Sequence, residues 1–488
     1  MRVTGPGGPA PGSPAGPARR WYAELALLPA GIESGVLIEA SGERFTAVTP
    51  GVSPARLRPG TARLPGVTLP GLANAHSHAF HRALRGVTQA GPGTFWTWRE
   101  RMYEVAARLQ PDSYLALARA VYAEMALAGI TCVGEFHYLH HDHRGASYAD
   151  PNAMGRAVLG AAAQAGLRIT LLDTCYLAGG LAADGSPRPL AGTQLRFGDG
   201  DGQQWAQRVD ALGADPHGML AGHARAGVAI HSVRAVPPGA MPPVAAWSHA
   251  HGSPLHAHLS EQPAENQACL AAYGVTPAGL LSGAGALGPR TTVVHATHVT
   301  AGDIALLGGS GAVACLCPTT EADLGDGLGP AGDLAAAGCP ISLGSDSHAV
   351  IDLLAEARQL ELGERLRTGR RGCFRAAELS RAATMAGHAC LGWPDAGEIV
   401  PGALADLVTV SLDSPRLAGT PGGSLPGGVP PWPGATGSVL ASVLFAGTAA
   451  DVRNVVVGGR DVVADGRHLL LADVPAALAA AIRPLLSA

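Results

Sequence analysis

Short apolar runs typical of β-strands alternate with alanine- and leucine-rich helical segments between Pro70 and about Asp395. One run precedes His76, and seven more follow it, at residues 129–136, 167–173, 227–231, 254–258, 292–295, 312–317 and 340–346. Strand–helix alternation at this spacing is typical of a parallel sheet whose strands are joined by helical crossovers. Eight such strands predict an α/β fold of the (β/α)8 barrel type.

The segments outside this alternation predict a second, smaller domain. Residues 21–69 consist of short apolar stretches broken by Gly, Pro and Ser, and strand-like runs return at 406–410, 452–457 and 462–463. We therefore expect residues 21–69 and 398–488 to form a small β-sandwich domain beside a catalytic barrel of residues 70–397. The low-complexity residues 1–20 are predicted to be a disordered tail, and the Pro- and Gly-rich residues 414–437 a long surface loop.

The composition argues against several classes of protein. A net charge of -4 does not favour a nucleic-acid surface or a polybasic membrane patch. The 8 cysteines include no Cys-x-x-Cys pair, and residues 1–20 lack the apolar stretch of a signal peptide. We therefore expect reduced thiols and a cytoplasmic protein. All 34 basic residues are arginine, so the chain contains no lysine.

A His-x-His pair, His76 and His78, follows the first strand of the predicted barrel. Residues two apart on a β-strand point to the same face, and the carboxyl end of a barrel strand opens into the region where active sites lie. Two neutral imidazoles in that position are suited to hold one divalent metal. Taken alone, the pair is equally consistent with two polar side chains satisfied by hydrogen bonds at a strand end.

Three later strand ends carry residues of the same chemistry. A second His-x-His, His256 and His258, is followed by Glu261, and the next two relevant strands end at His295 and Asp346. His256 lies deeper along its strand and is expected to have a core or supporting role. Four separate strand ends that present His and Asp side chains favour one metal-dependent active site over coincidence.

This arrangement resembles the deaminase branch of the amidohydrolase superfamily, over nearly the whole chain. The resemblance implies that His76, His78, His258 and Asp346 are the ligands of one divalent metal, most often zinc, in a hydrolase. Some members bridge two metals with a carbamylated lysine, and that is impossible in a chain without lysine. The resemblance extends to residues 397–408, which look like the return of the chain into the β-sandwich domain.

A narrower resemblance rests on five motifs, namely 76–83 (HSHAFHRA), 95–100 (FWTWRE), 135–141 (EFHYLHH), 231–236 (HSVRAV) and 295–298 (HATH). These are similar to the formimidoylglutamate deiminase family, which hydrolyses N-formimino-L-glutamate to N-formyl-L-glutamate and ammonia in histidine degradation. The resemblance implies attack by a zinc-bound hydroxide, with Asp346 and His295 taking the water proton and Glu261 protonating the imine nitrogen. It also implies a homodimer.

The dianionic substrate of that family needs cationic partners, because a neutral pocket would bind two carboxylates poorly. Arg99 and Arg234 are the expected carboxylate ligands, and Tyr138 and His231 are expected to line the same pocket. The family usually has Gln where this chain has His81, so that contact differs. The alternatives are a deaminase or chlorohydrolase acting on a purine, pyrimidine or triazine ring, and a non-catalytic relative that has lost its ligands.

Overall fold

The computed structural model of the protein describes residues 18–182, 185–214, 218–220, 222–420 and 435–486. Its strands, in chain order, are β1 Arg19–Leu28, β2 Gly31–Ser41, β3 Arg44–Thr49, β4 Ala62–Pro70, β5 Leu72–Ser77, β6 Ile130–His137, β7 Arg168–Cys175, β8 Gly180–Leu181, β9 Pro187–Arg188, β10 Ala224–Ile230, β11 Leu255–Leu259, β12 Thr291–His295, β13 Val313–Leu316, β14 Ile341–Leu343, β15 Leu407–Val410, β16 Val452–Val457, β17 Arg460–Ala464 and β18 Arg467–His468.

The helices of the described ranges are α1 Phe95–Arg108, α2 Pro111–Leu127, α3 Ala153–Ala165, α4 Gly202–Gly213, α5 Met241–His251, α6 Pro263–Tyr273, α7 Pro277–Gly283, α8 Ala301–Ser310, α9 Pro318–Leu324, α10 Ala331–Ala336, α11 Leu353–Thr368, α12 Ala376–Ala383, α13 Met385–Cys390, α14 Ala435–Ala446 and α15 Val474–Leu486. No helix in these ranges is long and apolar enough to cross a membrane.

The predicted barrel is confirmed. Eight parallel strands form one sheet in the order β14-β13-β12-β11-β10-β7-β6-β5. A parallel bridge between Ser77 and Asp346 joins the chain at the two outer strands and closes the ring. Because both faces of these strands are covered, most of their residues are buried, as in β6, where all eight are.

The N- and C-terminal segments form a separate sheet, as predicted. Its eight strands run in the order β18-β17-β16-β15-β4-β1-β2-β3, with β1 and β4 parallel and the other pairs antiparallel. The bidentate ion pair between Arg168, at the start of β7, and Asp406, just before β15, fastens the barrel to this sheet through a 2.9 Å contact. Both side chains are buried, so each offsets the cost of burying the other's charge.

Two predicted boundaries differ from the structure. Arg19 and Arg20 belong to β1, where Arg20 pairs with Glu39 of β2, so the predicted tail does not reach them. Residues 1–17 lie outside the described residues, as do 421–434 of the predicted 414–437 loop.

Residues 435–437 are already in α14, and the C-terminal segment ends in α15, which packs on α2 of the barrel. Helices α14 and α15 contain few polar residues, and the sequence pattern did not predict them as helices.

Candidate active site

Four side chains from three strand ends converge at the carboxyl end of the barrel. Nε2 of His76 lies 3.1 Å from Nε2 of His258 and 3.3 Å from Oδ1 of Asp346. Nε2 of His78 lies 3.4 Å from the same carboxylate oxygen. Ligand atoms held at 2.0–2.1 Å by a tetrahedral zinc lie roughly 3.3 Å from one another. Three pairs among the four predicted ligands therefore stand at separations that a single metal requires, and the groups able to hold an ion are His76 with His78 and Asp346, and His76 with His258 and His295.

The hydrogen bonding of His78 supports a cation at this point. Its Nδ1 donates to the carbonyl oxygen of Phe136 at 2.9 Å, and burial lowers its pKa to about 3, so the ring is neutral and its Nε2 carries a lone pair. That lone pair faces the carboxylate of Asp346, which is also an acceptor. Two acceptors at 3.4 Å repel each other unless a cation lies between them. The donor set of three imidazoles and one carboxylate suits zinc and other divalent metals.

The backbone around these ligands adopts conformations that L-residues rarely take. In the described part of the chain, six non-glycine residues have a positive φ, and five of them lie at the ends of β11, β12 and β14. They are Ser260 (51°), His295 (71°), Ala296 (47°), Asp346 (39°) and His348 (58°). Strained backbone of this kind persists where the surrounding structure enforces it, and it concentrates at functional sites.

His295 is surrounded by carboxylates. Its Nε2 lies 3.6 Å from Oε1 of Glu261 and 3.8 Å from Oδ2 of Asp346, while its Nδ1 lies 3.4 Å from Oε1 of Glu321. Burial disfavours the imidazolium, but the negative neighbours outweigh burial and raise the pKa of His295 well above its ordinary value. Burial likewise raises the pKa of Glu261 to about 7. The site therefore holds two groups able to carry a proton at neutral pH.

The predicted substrate residues line one cavity together with the ligands. Its walls include the five residues predicted to bind substrate, His81, Arg99, Tyr138, His231 and Arg234, and also His78, His258, Glu261, His295 and Asp346. The remaining walls are Phe95, Trp98, Met102, Tyr103, Tyr176 and Phe197. The structure therefore brings every predicted residue to one place except His76, which lies beneath the cavity floor and contacts His258.

The two arginines reach the cavity from different elements. Arg99, on α1, stacks its guanidinium over the Trp96 ring with 4.6 Å between Cζ and the ring centroid. Arg234 donates from Nε to Oε2 of Glu265 at 2.8 Å, and its Nη2 lies 3.7 Å from Oε2 of Glu261. Arg99 is thus oriented by an aromatic face, whereas Arg234 is oriented by carboxylates and leaves its other N–H groups toward the cavity.

Several residues with a role in this geometry were missed by the sequence analysis. Glu265 fixes Arg234 and also accepts a hydrogen bond from the Ser260 amide at 3.0 Å. Glu321 accepts from the Cys317 amide at 2.9 Å and holds His295. Their spacing could have indicated both glutamates. Glu265 lies four residues after Glu261, and Glu321 lies four residues after Cys317, and each of those positions closely follows a strand end. Tyr103 and Tyr176 gave no signal beyond their residue type.

The other histidines have structural roles. Nε2 of His256 bonds the Cys390 carbonyl at 3.2 Å, deep in the barrel, as predicted for a core position. His140 donates to the Thr174 carbonyl at 2.9 Å, and His141 pairs with Asp199 at 2.9 Å. His298 bonds the Asp326 carbonyl at 2.8 Å through Nε2 and lies before α8, which begins at Ala301 behind a Thr300 cap.

Comparisons with known proteins agree with this geometry. The sequence profile of the Amidohydrolase family matches residues 67–462. A formimidoylglutamate deiminase from Pseudomonas aeruginosa is 39% identical over 457 residues, which cover 92% of this chain and 95% of that protein. An 8-oxoguanine deaminase from the same organism is 31% identical over 369 residues, 72% of this chain and 76% of that protein. The crystal structure of an amidohydrolase from Brucella melitensis has a TM-score of 0.84 at 34% identity, covering 96% of this chain and 100% of that one.

A closed (β/α)8 barrel with histidines and an aspartate converging at its carboxyl-terminal mouth defines the scaffold of a metal-dependent hydrolase. The chain belongs to the amidohydrolase family. Within that family it is a hydrolytic deaminase, an enzyme that acts on C–N bonds.

Proposed function

We propose that the protein hydrolyses N-formimino-L-glutamate to N-formyl-L-glutamate and ammonia, a step of histidine degradation, with one zinc ion as cofactor. The observation that carries this proposal is the shared cavity, in which Arg99 and Arg234 line the walls beside His258 and Asp346. The substrate has an amidine on its α-nitrogen, one carboxylate on the adjacent carbon and a second carboxylate at the end of the side chain. Two arginines in the cavity that holds the ligand cluster match those two negative charges.

His76, His78, His258 and Asp346 would hold the metal, and the chemistry it supplies is Lewis acidity that brings the pKa of a water molecule to about 7. The facing lone pairs of His78 and Asp346 support this assignment. A single metal is proposed because the chain has no lysine to carbamylate as a bridge.

The proton transfers follow from the positions of three side chains. Asp346, which the neighbouring histidines hold ionised despite its burial, takes the proton of the attacking water, while His295, kept protonated by its carboxylate neighbours, flanks the water and orients it. Glu261, whose pKa is about 7, donates its proton to the imine nitrogen. The carbon gains a bond to the water oxygen, its bond to the terminal nitrogen breaks, and both water protons leave on ammonia.

The remaining predicted contacts hold the substrate in place. Arg99 and Arg234 clamp the carboxylates, while Tyr138 and His231 border the chain between them and the amidine. His81 acts through Tyr138, because its Nε2 lies 3.0 Å from the Tyr138 hydroxyl. Binding at the distal end orients the reacting carbon, which is how such contacts contribute to rate.

A second candidate is a deaminase of a purine-like ring. Phe95, Trp98 and Phe197 line the same cavity and offer faces on which a ring could stack. Ammonia release from N-formimino-L-glutamate, 8-oxoguanine and methylthioadenosine, measured side by side, separates the two candidates. Turnover of the ring compounds alone would contradict the first proposal.

A cytoplasmic location and a homodimer complete the proposal; the first rests on the cysteine pattern and the second on the family resemblance. Sedimentation of the purified protein tests the second, with the mass of two chains as the expected result and that of one chain as the contrary one.

A further inference from the structure

A fully buried carboxylate, Glu135, lies directly behind the strand that carries His76 and His78. It sits on β6 next to Phe136, whose ring stacks on His258 with 4.3 Å between centroids. Successive side chains on a strand point to opposite faces, so Glu135 points away from the cavity. There it meets α2, where the Tyr114 hydroxyl lies 3.4 Å from its Oε1.

Glu135 accepts two short hydrogen bonds from the residues on either side of His78. The hydroxyl of Ser77 donates to Oε2 at 2.8 Å, and the backbone N–H of Ala79 donates to Oε1 at 2.6 Å. His78 is therefore held from both sides by a single carboxylate. Hydrogen bonds to an ionised acceptor are about twice as strong as neutral ones.

These contacts fix the backbone at the point where two ligands meet. β5 ends at Ser77, and a 3-10 helix begins at Ala79 with His78 as its first flanking residue, whose side chain provides no cap. Glu135 supplies the acceptor that this helix start needs. On the other side, the backbone N–H of His78 donates to the carbonyl of Asp346 at 3.3 Å. Movement of residues 77–79 would displace His78 and Asp346 together.

The carboxylate has no cationic partner among the residues that the structure describes. His348, which touches the Ser77 hydroxyl at 3.1 Å, is kept neutral because burial lowers its pKa well below the ordinary value. Burial raises the pKa of Glu135 to about 7, while the hydrogen bonds from Ala79 and Ser77 act in the opposite direction. A buried carboxylate without a cationic partner is costly to keep, and here it is held by hydrogen bonds from the two neighbours of His78.

We propose that Glu135 is a positioning residue of the metal centre, acting through Ser77 and Ala79 to fix His78 and Asp346 in their ligating geometry. This inference rests on the metal centre of the proposed function, though not on the identity of the substrate. Groups that orient metal ligands typically account for 10- to 100-fold in metal affinity, roughly, when they are removed.

Glu356 provides a matched control. It is also fully buried, and it accepts hydrogen bonds from one backbone N–H and one hydroxyl, both belonging to Thr319. Glu356 lies on α11, outside the strands that carry the proposed metal ligands. Glu356→Gln and Thr319→Ala therefore repeat the chemistry of Glu135→Gln and Ser77→Ala at a second buried carboxylate.

The test is the zinc affinity of the four purified variants and the wild type, measured on metal-stripped full-length protein by competition with a chromophoric chelator. Melting temperatures of the same samples report structural damage. We expect Glu135→Gln to weaken zinc binding at least about 10-fold, and Ser77→Ala to weaken it less but measurably. The Glu356 and Thr319 variants should bind zinc within about twofold of wild type, although their melting temperatures fall by comparable amounts. Ser77→Ala, a smaller change, carries the test if Glu135→Gln does not fold.

Equal zinc affinity in Glu135→Gln and Glu356→Gln would overturn the inference. If Glu135→Gln does not fold, an unchanged zinc affinity in Ser77→Ala would overturn it. A wild-type protein that does not bind zinc would overturn both the inference and the metal centre. Zinc binding without ammonia release from N-formimino-L-glutamate would reject the proposed substrate alone and leave the role of Glu135 in place.

Discussion

Nδ1 of His78 lies 2.9 Å from the carbonyl oxygen of Phe136, and this contact decides which ring nitrogen faces Asp346. Because a carbonyl only accepts, the proton sits on Nδ1, and the lone pair of Nε2 is left for the proposed metal. A backbone carbonyl of β6 thus sets the tautomer of His78, which follows the neighbouring strand β5. Backbone carbonyls commonly orient metal-binding histidines in this way.

Replacing Asp346 by Asn should abolish turnover. The variant removes the negative charge that both completes the ligand set and accepts the water proton, so we expect kcat to fall by at least about 10³-fold and the zinc content to fall with it. Ammonia release and metal analysis of the same preparation measure the two effects. A near-normal rate in Asp346→Asn would show that the mechanism is wrong.

Arg99→Ala should raise KM with little effect on kcat. Arg99 stacks on the Trp96 and Tyr103 rings, whereas Arg234 contacts the carboxylates beside the proton-carrying groups, so we expect the loss of Arg99 to remove substrate binding alone. Arg99→Lys, which keeps the charge but not the bidentate geometry, should recover part of the affinity. Initial rates over a range of N-formimino-L-glutamate concentrations decide this, and a fall in kcat with unchanged KM would argue against a carboxylate clamp.

Arg234→Ala should lower kcat as well as raise KM. The sequence alone predicts a binding defect, but the structure adds the 2.8 Å contact with Glu265 and the approach to Glu261. Without the guanidinium, Glu265 is left buried and unpaired, and the pKa of Glu261 rises further because a positive neighbour is lost. The upper limb of the pH profile of kcat should move to higher pH. A pure KM effect would show that Arg234 acts on substrate only.

His81→Gln should keep kcat/KM within about threefold of wild type. A glutamine amide is able to replace Nε2 of His81 as the partner of the Tyr138 hydroxyl. His81→Leu, which has no polar atom, leaves that buried hydroxyl unsatisfied and should lose about 10-fold or more. Equal rates in the two variants would mean that the contact with Tyr138 has no part in catalysis.

Arg208→Met should destabilise the fold by about 3–5 kcal/mol at pH 7. Arg208 is buried and bridges Asp173 at 2.7 Å and Asp199 at 2.8 Å. Its charge outweighs burial and holds the pKa of Asp173 below the ordinary value, while the pKa of Asp199 is lowered first by the hydrogen bond from His141 and then by Arg208, so the stabilisation is complete above about pH 4 and is lost below it. In the variant, burial raises the pKa of Asp173, whereas His141 still holds Asp199. The difference in unfolding free energy between wild type and Arg208→Met should therefore be smaller at pH 5 than at pH 7. Chemical denaturation of both proteins at the two pH values tests this.

The barrel and its ligands were predictable because each depends on a short pattern. A strand buried on both faces is a run of apolar residues, and a ligand at its carboxyl end, such as His258 or Asp346, follows the run directly. The ligand separations confirm that these patterns converge. Local pattern and global topology agree at these positions, so a single sequence is enough.

The supporting residues were not predictable, because their role depends on pairing between distant strands. Glu135 lies 58 residues from Ser77 along the chain, and only the register of β5 against β6 brings them together. The Gln194 amide that reaches Tyr103 and Tyr176 is a similar case. Helices α14 and α15 were not predicted because they consist mostly of small and apolar residues, with little polar side to mark an amphipathic helix. A β-domain with two appended helices was therefore predicted as strands alone.

The most direct test of the proposed reaction is identification of the products formed from N-formimino-L-glutamate by the zinc-loaded protein. Ammonia and N-formyl-L-glutamate in equal amounts, with about one zinc per chain and loss of activity on chelation, are the predicted result. Formamide and glutamate, or ammonia released only from ring compounds such as 8-oxoguanine, would contradict it.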